Sequence, residues 1–369
     1  MAIIEMTILV SLILYTVFCL IITTGILIGN KANTGFQPFV SVLIPARNEE
    51  QNISSCLDSI MQLDYPQDKL EVIIIDDYSD DNTAGIVTEK IKDLNNYKLV
   101  KLAELENAGT GKIGGLIEGY KSASGEIIIQ TDADCRVPSA WIKTILKEFS
   151  DDTGIVGGLI YLESEKITLF GSIQALDWLY LLGVGAGSNR AGFPLSCIGN
   201  NLAVRKKAYE DTGGYTKIPY SVTEDYALFK AIVRSGWKAR FSVSNDSLVV
   251  SSPPETIKDL MRQRIRWASG GIIQAGPGIV LMATAFVFHL SVIAGIITRI
   301  DPVYWLTAIA ISFLVDSIFL FAVAKKIAKL ESLIFLPFFE IYYYIYTTVF
   351  GFLSPFMRSV TWKGRKIKF

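Results

Sequence analysis

At 369 residues the chain has room for one large catalytic domain plus membrane segments. Hydrophobic residues make up 50% of it and mean hydropathy is +0.37, too apolar for an ordinary soluble enzyme. A formal net charge of -1 removes any bulk electrostatic case for nucleic acid, and a single histidine, His289 in an apolar run, argues against a Ser-His-Asp triad, a His-rich zinc site or a histidine base. The chemistry must run on carboxylates, Arg, Lys and a metal. Cys19, Cys56, Cys135 and Cys197 show no C-x-x-C spacing, and the last three read as reduced thiols in a cytoplasmic setting.

Met6 to Ile28 carries no charge and is long enough to cross a hydrocarbon core at about 20 residues per span. Its start, MAIIEM, lacks the basic flank of a cleaved signal peptide, so 1–30 reads as an uncleaved anchor. From Phe39 to Leu162 strands and helices alternate. FVSVLI reads as a first strand, and the next segment places Ile53, Leu57, Ile60 and Met61 at helical spacing. LEVIII is a second strand, followed by a helix from about Asn82 to Asp93 and a third strand, YKLVKL. KIGGLIEGYKSA reads as a helix, EIIIQT as a fourth strand and WIKTILKEF as a helix. Such alternation argues for a mostly parallel sheet with helices on both faces. No GxGxxG follows the first strand and no Walker loop occurs, which argues against a dinucleotide enzyme or an NTPase. GTGKIGG, Gly109 to Gly115, is the stretch most like a phosphate cradle and equally an ordinary helix entry.

TGIVGGLIYLE reads as a further strand. Thr168 to Gly187 is very apolar yet contains Asp177 and many glycines, and reads as an interfacial or partly buried helix. Thr223, Glu224 and Asp225 open a helix, and this composition also suits an ordinary N-cap. In Glu255 to Gly271, Ile257, Leu260, Met261 and Ile265 share one face while Lys258, Arg262 and Arg266 lie largely elsewhere. Either this is a basic interfacial helix gripping anionic headgroups, or Arg266 binds a diphosphate and Trp267 stacks on a sugar. Three more candidate spans follow: Ile272 to Ile297, Val303 to Ala324 with only Asp316, and Leu333 to Met357 with only Glu340. Each of these two acids either faces a cavity or partner, or hydrates near an interface. Lys31 and Arg47 favour a cytoplasmic central region, as do Lys325, Lys326 and Lys329 after two crossings. The basic tail MRSVTWKGRKIKF agrees only if the last segment bends back, with Pro337 as the bend.

Two strands end on carboxylates. EVIIIDDYSD opens onto Asp76 and Asp77, and EIIIQTDADC onto Asp132 and Asp134. Adjacent carboxylates are costly unless they meet a cation or donors, although either pair could be a solvated turn. Ligands of α/β sheets sit at the carboxyl edge, so two acidic strand ends suggest one site for a divalent metal and a phosphate-bearing ligand. Mg²⁺ or Mn²⁺ favours such oxygens and shares its shell with substrate phosphates.

Four motifs stand in one order: Asp76-Asp77 after a strand, Asp132-x-Asp134, Thr223-Glu224-Asp225 and Gln263-x-x-Arg266-Trp267. With SVLIPARNEE at the opening strand, the set resembles the membrane-integrated glycosyltransferases of family 2. That group includes ceramide, glycolipid and carotenoid glucosyltransferases and, more distantly, cellulose, hyaluronan and poly-N-acetylglucosamine synthases. The resemblance covers roughly Phe39 to Gly271 plus the flanking spans. It implies an α/β GT-A catalytic domain, Rossmann-like with a mostly parallel sheet, over 37–254 on the cytoplasmic side. Around it would lie the anchor 1–30, an interfacial helix 255–271 bearing QxxRW, transmembrane α-helices within 272–357 and a basic tail 358–369. Glu49, Asp76, Asp77 and Lys112 resemble contacts to the nucleotide. Asp132 resembles the nucleotide-sugar side of the DxD pair and Asp134 the metal ligand. Asp225 resembles the general base, and Gln263, Arg266 and Trp267 the site that closes over diphosphate and acceptor.

Implied with these roles are inversion at the anomeric carbon, Mg²⁺ or Mn²⁺ as cofactor, a nucleotide-sugar donor (a UDP-sugar favoured) and an inner-membrane location. The short set of C-terminal spans, the apolar Thr168 to Gly187 segment and the tail favour one sugar added to a membrane lipid. QRIRW also occurs in processive enzymes, so a polysaccharide synthase is the alternative.

Overall fold

The structure is a computed structural model. It describes residues 2–29, 33, 35–105, 111–273, 278–353, 359–362 and 365–368, with the backbone alone for 268–273 and 359–368. Along the chain come α1 (Ala2–Leu27), β1 (Val40–Ala46), α2 (Ile53–Met61), β2 (Leu70–Asp76), α3 (Thr83–Ile91), β3 (Tyr97–Lys101), α4 (Gly111–Ser122), β4 (Ile127–Gln130), α5 (Trp141–Leu146), β5 (Thr153–Gly158) and β6 (Ile160–Leu162). They continue with α6 (Leu169–Arg190), β7 (Leu202–Arg205), α7 (Lys206–Asp211), α8 (Glu224–Arg234), β8 (Lys238–Ser242), β9 (Val249–Ser251), α9 (Ile257–Ile273), α10 (Gly278–Ile297), α11 (Pro302–Lys326), α12 (Leu336–Leu353), β10 (Ser359–Trp362) and β11 (Arg365–Lys368). The chain divides into two compact units, Asn30–Tyr161 with Ser196–Ser252, and Met1–Gly29 with Leu162–Leu195 and Pro253–Phe369.

In the first unit seven strands form one sheet in the order β3-β2-β1-β4-β7-β5-β8. β1 runs parallel to β2 and β4, β2 to β3, and β5 to β8, while β7 is antiparallel to both neighbours. The mostly parallel α/β sheet expected from the alternation is thus what forms. Its central strands carry no polar face because helices cover both sides: Val42, Leu43 and Ile44 of β1, Ile73 and Ile74 of β2 and Ile128 of β4 are fully buried. α2 buries Ile53, Cys56, Leu57 and Ile60 at helical spacing, with Met61 only half-buried.

Register places the chemistry. β1 aligns Ala46 with Asp76 of β2 and Leu43 with Gln130 of β4. Asp76-Asp77 and Asp132-x-Asp134 therefore lie where the two strands that flank β1 end, at the same carboxyl edge. The strand order turns at β1, between β2 and β4, and such a switch point opens a crevice for a ligand.

The second unit is helical. Five helices are long and apolar enough to cross a membrane: Ala2–Leu27, Leu169–Arg190, Gly278–Ile297, Pro302–Lys326 and Leu330–Leu353. α6 is among them, although β4 and β7, which lie on either side of it in the chain, are hydrogen-bonded in one sheet. One crossing by α6 would put paired strands on opposite sides of a bilayer, so its length and apolarity do not make it a single span. α12 is one helix from Leu336 to Leu353 with Pro337 in its first turn, where proline is tolerated, so Pro337 starts the helix and does not bend it back. Ile8, Leu12, Phe288, Val292 and Ala308 form the apolar contact of α1, α10 and α11.

Asp316 and Glu340 are both buried among these helices, so neither hydrates near an interface. The hydroxyls of Tyr15 and Tyr180 reach the Asp316 carboxylate at 2.7 and 3.0 Å. An acid in an apolar bundle is tolerated when donors surround it in this way.

Candidate active site

The site grows from the carboxyl ends of β2 and β4. Where β2 ends, Asp77 continues the pairing by donating its N–H to Ala46 O at 2.9 Å. Its carboxylate accepts the Gly111 N–H at the start of α4 at 3.0 Å and lies 3.9 Å from Arg47 Nη1. Asp76 is also buried, and its Oδ1 finds no hydrogen-bond partner among the described residues. A buried carboxylate oxygen with no donor marks a place for a ligand donor, as a ribose hydroxyl or a base N–H would supply. Glu49 stands in the loop after β1, where Asn52 donates to its Oε2 at 2.8 Å and its own N–H bonds Thr83 Oγ1 at 2.8 Å.

At the end of β4 three charged groups meet. Lys112, on the first turn of α4, donates to Asp132 Oδ1 at 2.7 Å and lies 3.5 Å from Glu224 Oε1 on the first turn of α8. Burial alone would lower the Lys112 ammonium, but the carboxylates of Asp132 and Glu224 outweigh it and hold its pKa well above the ordinary lysine range. Lys112 is thus a fixed cation joining the DxD and Thr-Glu-Asp motifs. Residues 106–110, including Gly109 and Thr110 of the suggested cradle, lie outside the described residues.

Asp225 hangs from a backbone support. Gln130 donates to Gly199 O at 2.9 Å and Thr131 to Asn200 O at 3.0 Å, tying the 199–201 turn to the end of β4. Gly199 N–H then donates to Asp225 Oδ2 at 2.7 Å, and Tyr226 N–H to Oδ1 at 2.8 Å. A Cβ on Gly199 would lie 3.2 Å from both Asp225 Cβ and Oδ2, so glycine permits this close approach. Burial, then the neighbouring Glu224, push the Asp225 carboxyl up from 3.8 to about 6, against the pull of Lys112 and the two N–H groups. Thr223 makes no side-chain cap to the helix.

Asp134 is exposed at the same edge, two residues beyond Asp132. No group of three or more His, Cys, Asp or Glu among the described residues is placed to cage a metal. Two carboxylates of this kind suit a hard cation that completes its shell with phosphate oxygens and water, and do not suit a closed structural site.

Gln263, Arg266 and Trp267 lie on α9 in the helical unit. Trp267 meets Trp178 of α6 edge-on at 5.1 Å between centroids, and Gln263 Oε1 is buried without a hydrogen-bond partner among the described residues. Sequence reasoning gave Arg47 only a part in topology and passed over Gly199 and Arg264. Arg47 follows the first strand directly and Arg264 stands inside QRIRW, so both had a signal, whereas Gly199 acts through its backbone and had none.

A mostly parallel sheet with acidic motifs gathered on its carboxyl edge has the architecture of a GT-A glycosyltransferase, and the same chain carries a helical unit with five candidate membrane-spanning helices. The chain belongs to glycosyl transferase family 21, whose profile matches residues 3–369. The class expected from the motifs therefore holds, under this family's number. The chain is 31% identical over 236 residues to the probable glycosyltransferase YdaM of Bacillus subtilis strain 168, covering 63% of this chain and 55% of that protein. It is 30% identical over 234 residues to the poly-beta-1,6-N-acetyl-D-glucosamine synthase of Staphylococcus epidermidis, covering 63% of this chain and 54% of that protein. It thus spans about half the length of these relatives. Its fold is also that of the mannosyltransferase PcManGT of Pyrobaculum calidifontis, solved with GDP-Man and Mn²⁺. That match has a TM-score of 0.61 and 20% identity, covering 88% of this chain and 99% of that one.

Proposed function

We propose that the protein is an inverting, metal-dependent glycosyltransferase that moves one sugar from a nucleotide-sugar to a membrane lipid at the cytoplasmic leaflet of the inner membrane. The observation that carries this reading is the Asp132–Lys112–Glu224 bridge, with Asp225 beside it and backbone-held. Asp76, through its unpaired Oδ1, together with Asp77 and Glu49 takes the nucleoside. Lys112 and Asp132 hold the diphosphate-sugar side. Asp134, with Asp132, would hold Mg²⁺ or Mn²⁺, which when bound neutralises charge on the departing diphosphate. Gln263, Arg266 and Trp267 are assigned by their chemistry to diphosphate and acceptor.

Asp225 takes the proton of the acceptor hydroxyl as that oxygen attacks the anomeric carbon and the bond to the diphosphate breaks. Its two N–H donors fix the carboxylate's direction, and each oxygen keeps a lone pair for the incoming proton. One displacement of this kind turns an α-linked donor into a β-glycoside. A UDP-sugar is the favoured donor on the motif resemblance. A GDP-sugar belongs beside it in any assay, because the mannosyltransferase of like fold is solved with GDP-Man.

A processive polysaccharide synthase is the second reading, favoured by the similarity to a poly-N-acetylglucosamine synthase. The test is incubation of detergent-purified protein with a panel of nucleotide sugars and total membrane lipids, followed by mass spectrometry of lipid and aqueous fractions. A hexose mass added to an extractable lipid supports the proposal. Donor left intact with every acceptor overturns it.

A further inference from the structure

Asp177 breaks the apolar run of α6 and has no part in the transfer described above. It is 3% exposed, and its partner Arg264 on α9 is 1% exposed. Arg264 Nη2 donates to Asp177 Oδ2, and Tyr342 Oη of α12 donates to the same oxygen at 3.0 Å. The Arg264 guanidinium carbon sits 4.5 Å from the centroid of the Trp267 ring and 5.6 Å from that of Tyr346. Trp267 in turn packs on Trp178, the neighbour of Asp177. Three helices of the unit therefore converge on one buried charge pair.

We propose that Asp177, Arg264 and Tyr342 form a positioning clamp that sets the rotation of α9, and so the direction in which Gln263 and Arg266 are presented. A buried ion pair is a poor stabiliser beside apolar packing, because desolvation cancels most of its attraction. What it supplies is direction, since a planar guanidinium satisfies a fixed carboxylate in few orientations. Residues on a helix follow at about 100° each. Trp267, three positions on, shares the face of Arg264. Arg266, two positions on, projects about 200° round, and Gln263 about 100° the other way. Locking the Arg264 face against α6 and α12 leaves Gln263 and Arg266 no freedom to swing about the axis. Arg264 is thus a positioning residue and not a catalytic one.

What α9 presents its residues to rests on the glycosyl-transfer reading, so the test includes a readout that needs no turnover. The four native cysteines are buried, which makes a cysteine at exposed position 262 the site that a maleimide reaches. Arg262→Cys is combined in full-length protein with Arg264→Lys, with Tyr342→Phe, or with the double change Asp177→Leu/Arg264→Met. The double change removes both charges together and leaves none buried alone. The expected result is an unchanged melting temperature in the double variant and, in all three, an altered labelling rate at position 262 and sugar transfer slowed by about 10-fold or more, as for a displaced site residue. Wild-type labelling and transfer in a folded double variant would overturn the clamp. If the double variant does not fold, wild-type labelling and transfer in both Arg264→Lys and Tyr342→Phe would overturn it equally. If the parent protein itself transfers no sugar, the glycosyl-transfer reading fails, and the labelling rates alone decide the clamp.

Discussion

At the scale of single residues the candidate site is a balance of charges. Asp225 is half-buried against Glu224, Lys112 and the Cys197 thiol, with two backbone N–H groups on its carboxylate. Asp225→Asn keeps this shape and removes the proposed base. It should bind donor normally and transfer about 10²-fold slower or worse, the usual scale for a lost general base. Glu224→Gln is the control, and a larger loss there would name the other carboxylate. The pH profile follows from the same group. Base function needs the carboxylate, so kcat/KM should climb as pH rises through about 6 and level off above it. The stability effect has the opposite sense. The folded pKa is raised above the ordinary 3.8, so the folded protein holds the proton more tightly than the unfolded chain. The cost of the charged form is absent below both values, grows as pH rises between them and is complete above about 6. Asp225→Asn should therefore raise the melting temperature more at about pH 7.5 than at about pH 5. An equal gain at both would show that the group is not raised. A third consequence concerns the metal. With no histidine at this edge and only Asp132 and Asp134 to share a cation with phosphate, chelation should abolish transfer, and Asp134→Ala should abolish metal-dependent donor binding. Full activity in excess chelator would remove the metal from the scheme.

At the scale of elements, close approach decides what can be changed. α1 and α6 touch backbone to backbone, since a Cβ on Gly25 would overlap Gly187 O and one on Gly187 would overlap Ile22 O. Gly187→Leu must force the helices apart and should cost ~1–3 kcal/mol, the usual scale of overpacking, with lower thermal stability in detergent. An unchanged melting temperature would mean that the contact is loose. Elements also differ in how well their residues announce them. β1, β2, β4 and α2 were legible because long apolar runs or a clean helical period mark them. β7 (LAVR) and β8 (KARFS) were not, because both are short and mix charge with apolar residues, and neighbours on the sheet make them strands. The acidic motifs were legible as chemistry before any fold was known. Their links were not. Lys112 lies 20 residues from Asp132 and Arg264 lies 87 from Asp177, and no period connects residues at such distances. Within QRIRW the motif drew attention to Arg266, while burial selects Arg264 as the residue that pairs.

At the scale of the whole molecule the open choice is one sugar or many. A polymer synthase needs a continuous polar path through its spans. In the helical unit the acids available within α11 and α12 are Asp316 and Glu340, and both are buried. Asp316 is already engaged by the Tyr15 and Tyr180 hydroxyls, which makes it part of the bundle's own packing and a poor lining for a passage. A lipid acceptor needs no such path, because its headgroup hydroxyl meets the donor at the leaflet while its chains stay in the bilayer. The product should therefore be a lipid carrying one sugar, and its mass should not grow as donor is raised at fixed enzyme. The measurement is product length by mass spectrometry and gel across that series. A ladder, or high-mass polysaccharide that grows with donor, would establish the processive reading. A single added hexose at every donor concentration would establish single transfer, and Asp316→Asn would then be expected to change stability while leaving product length as it was.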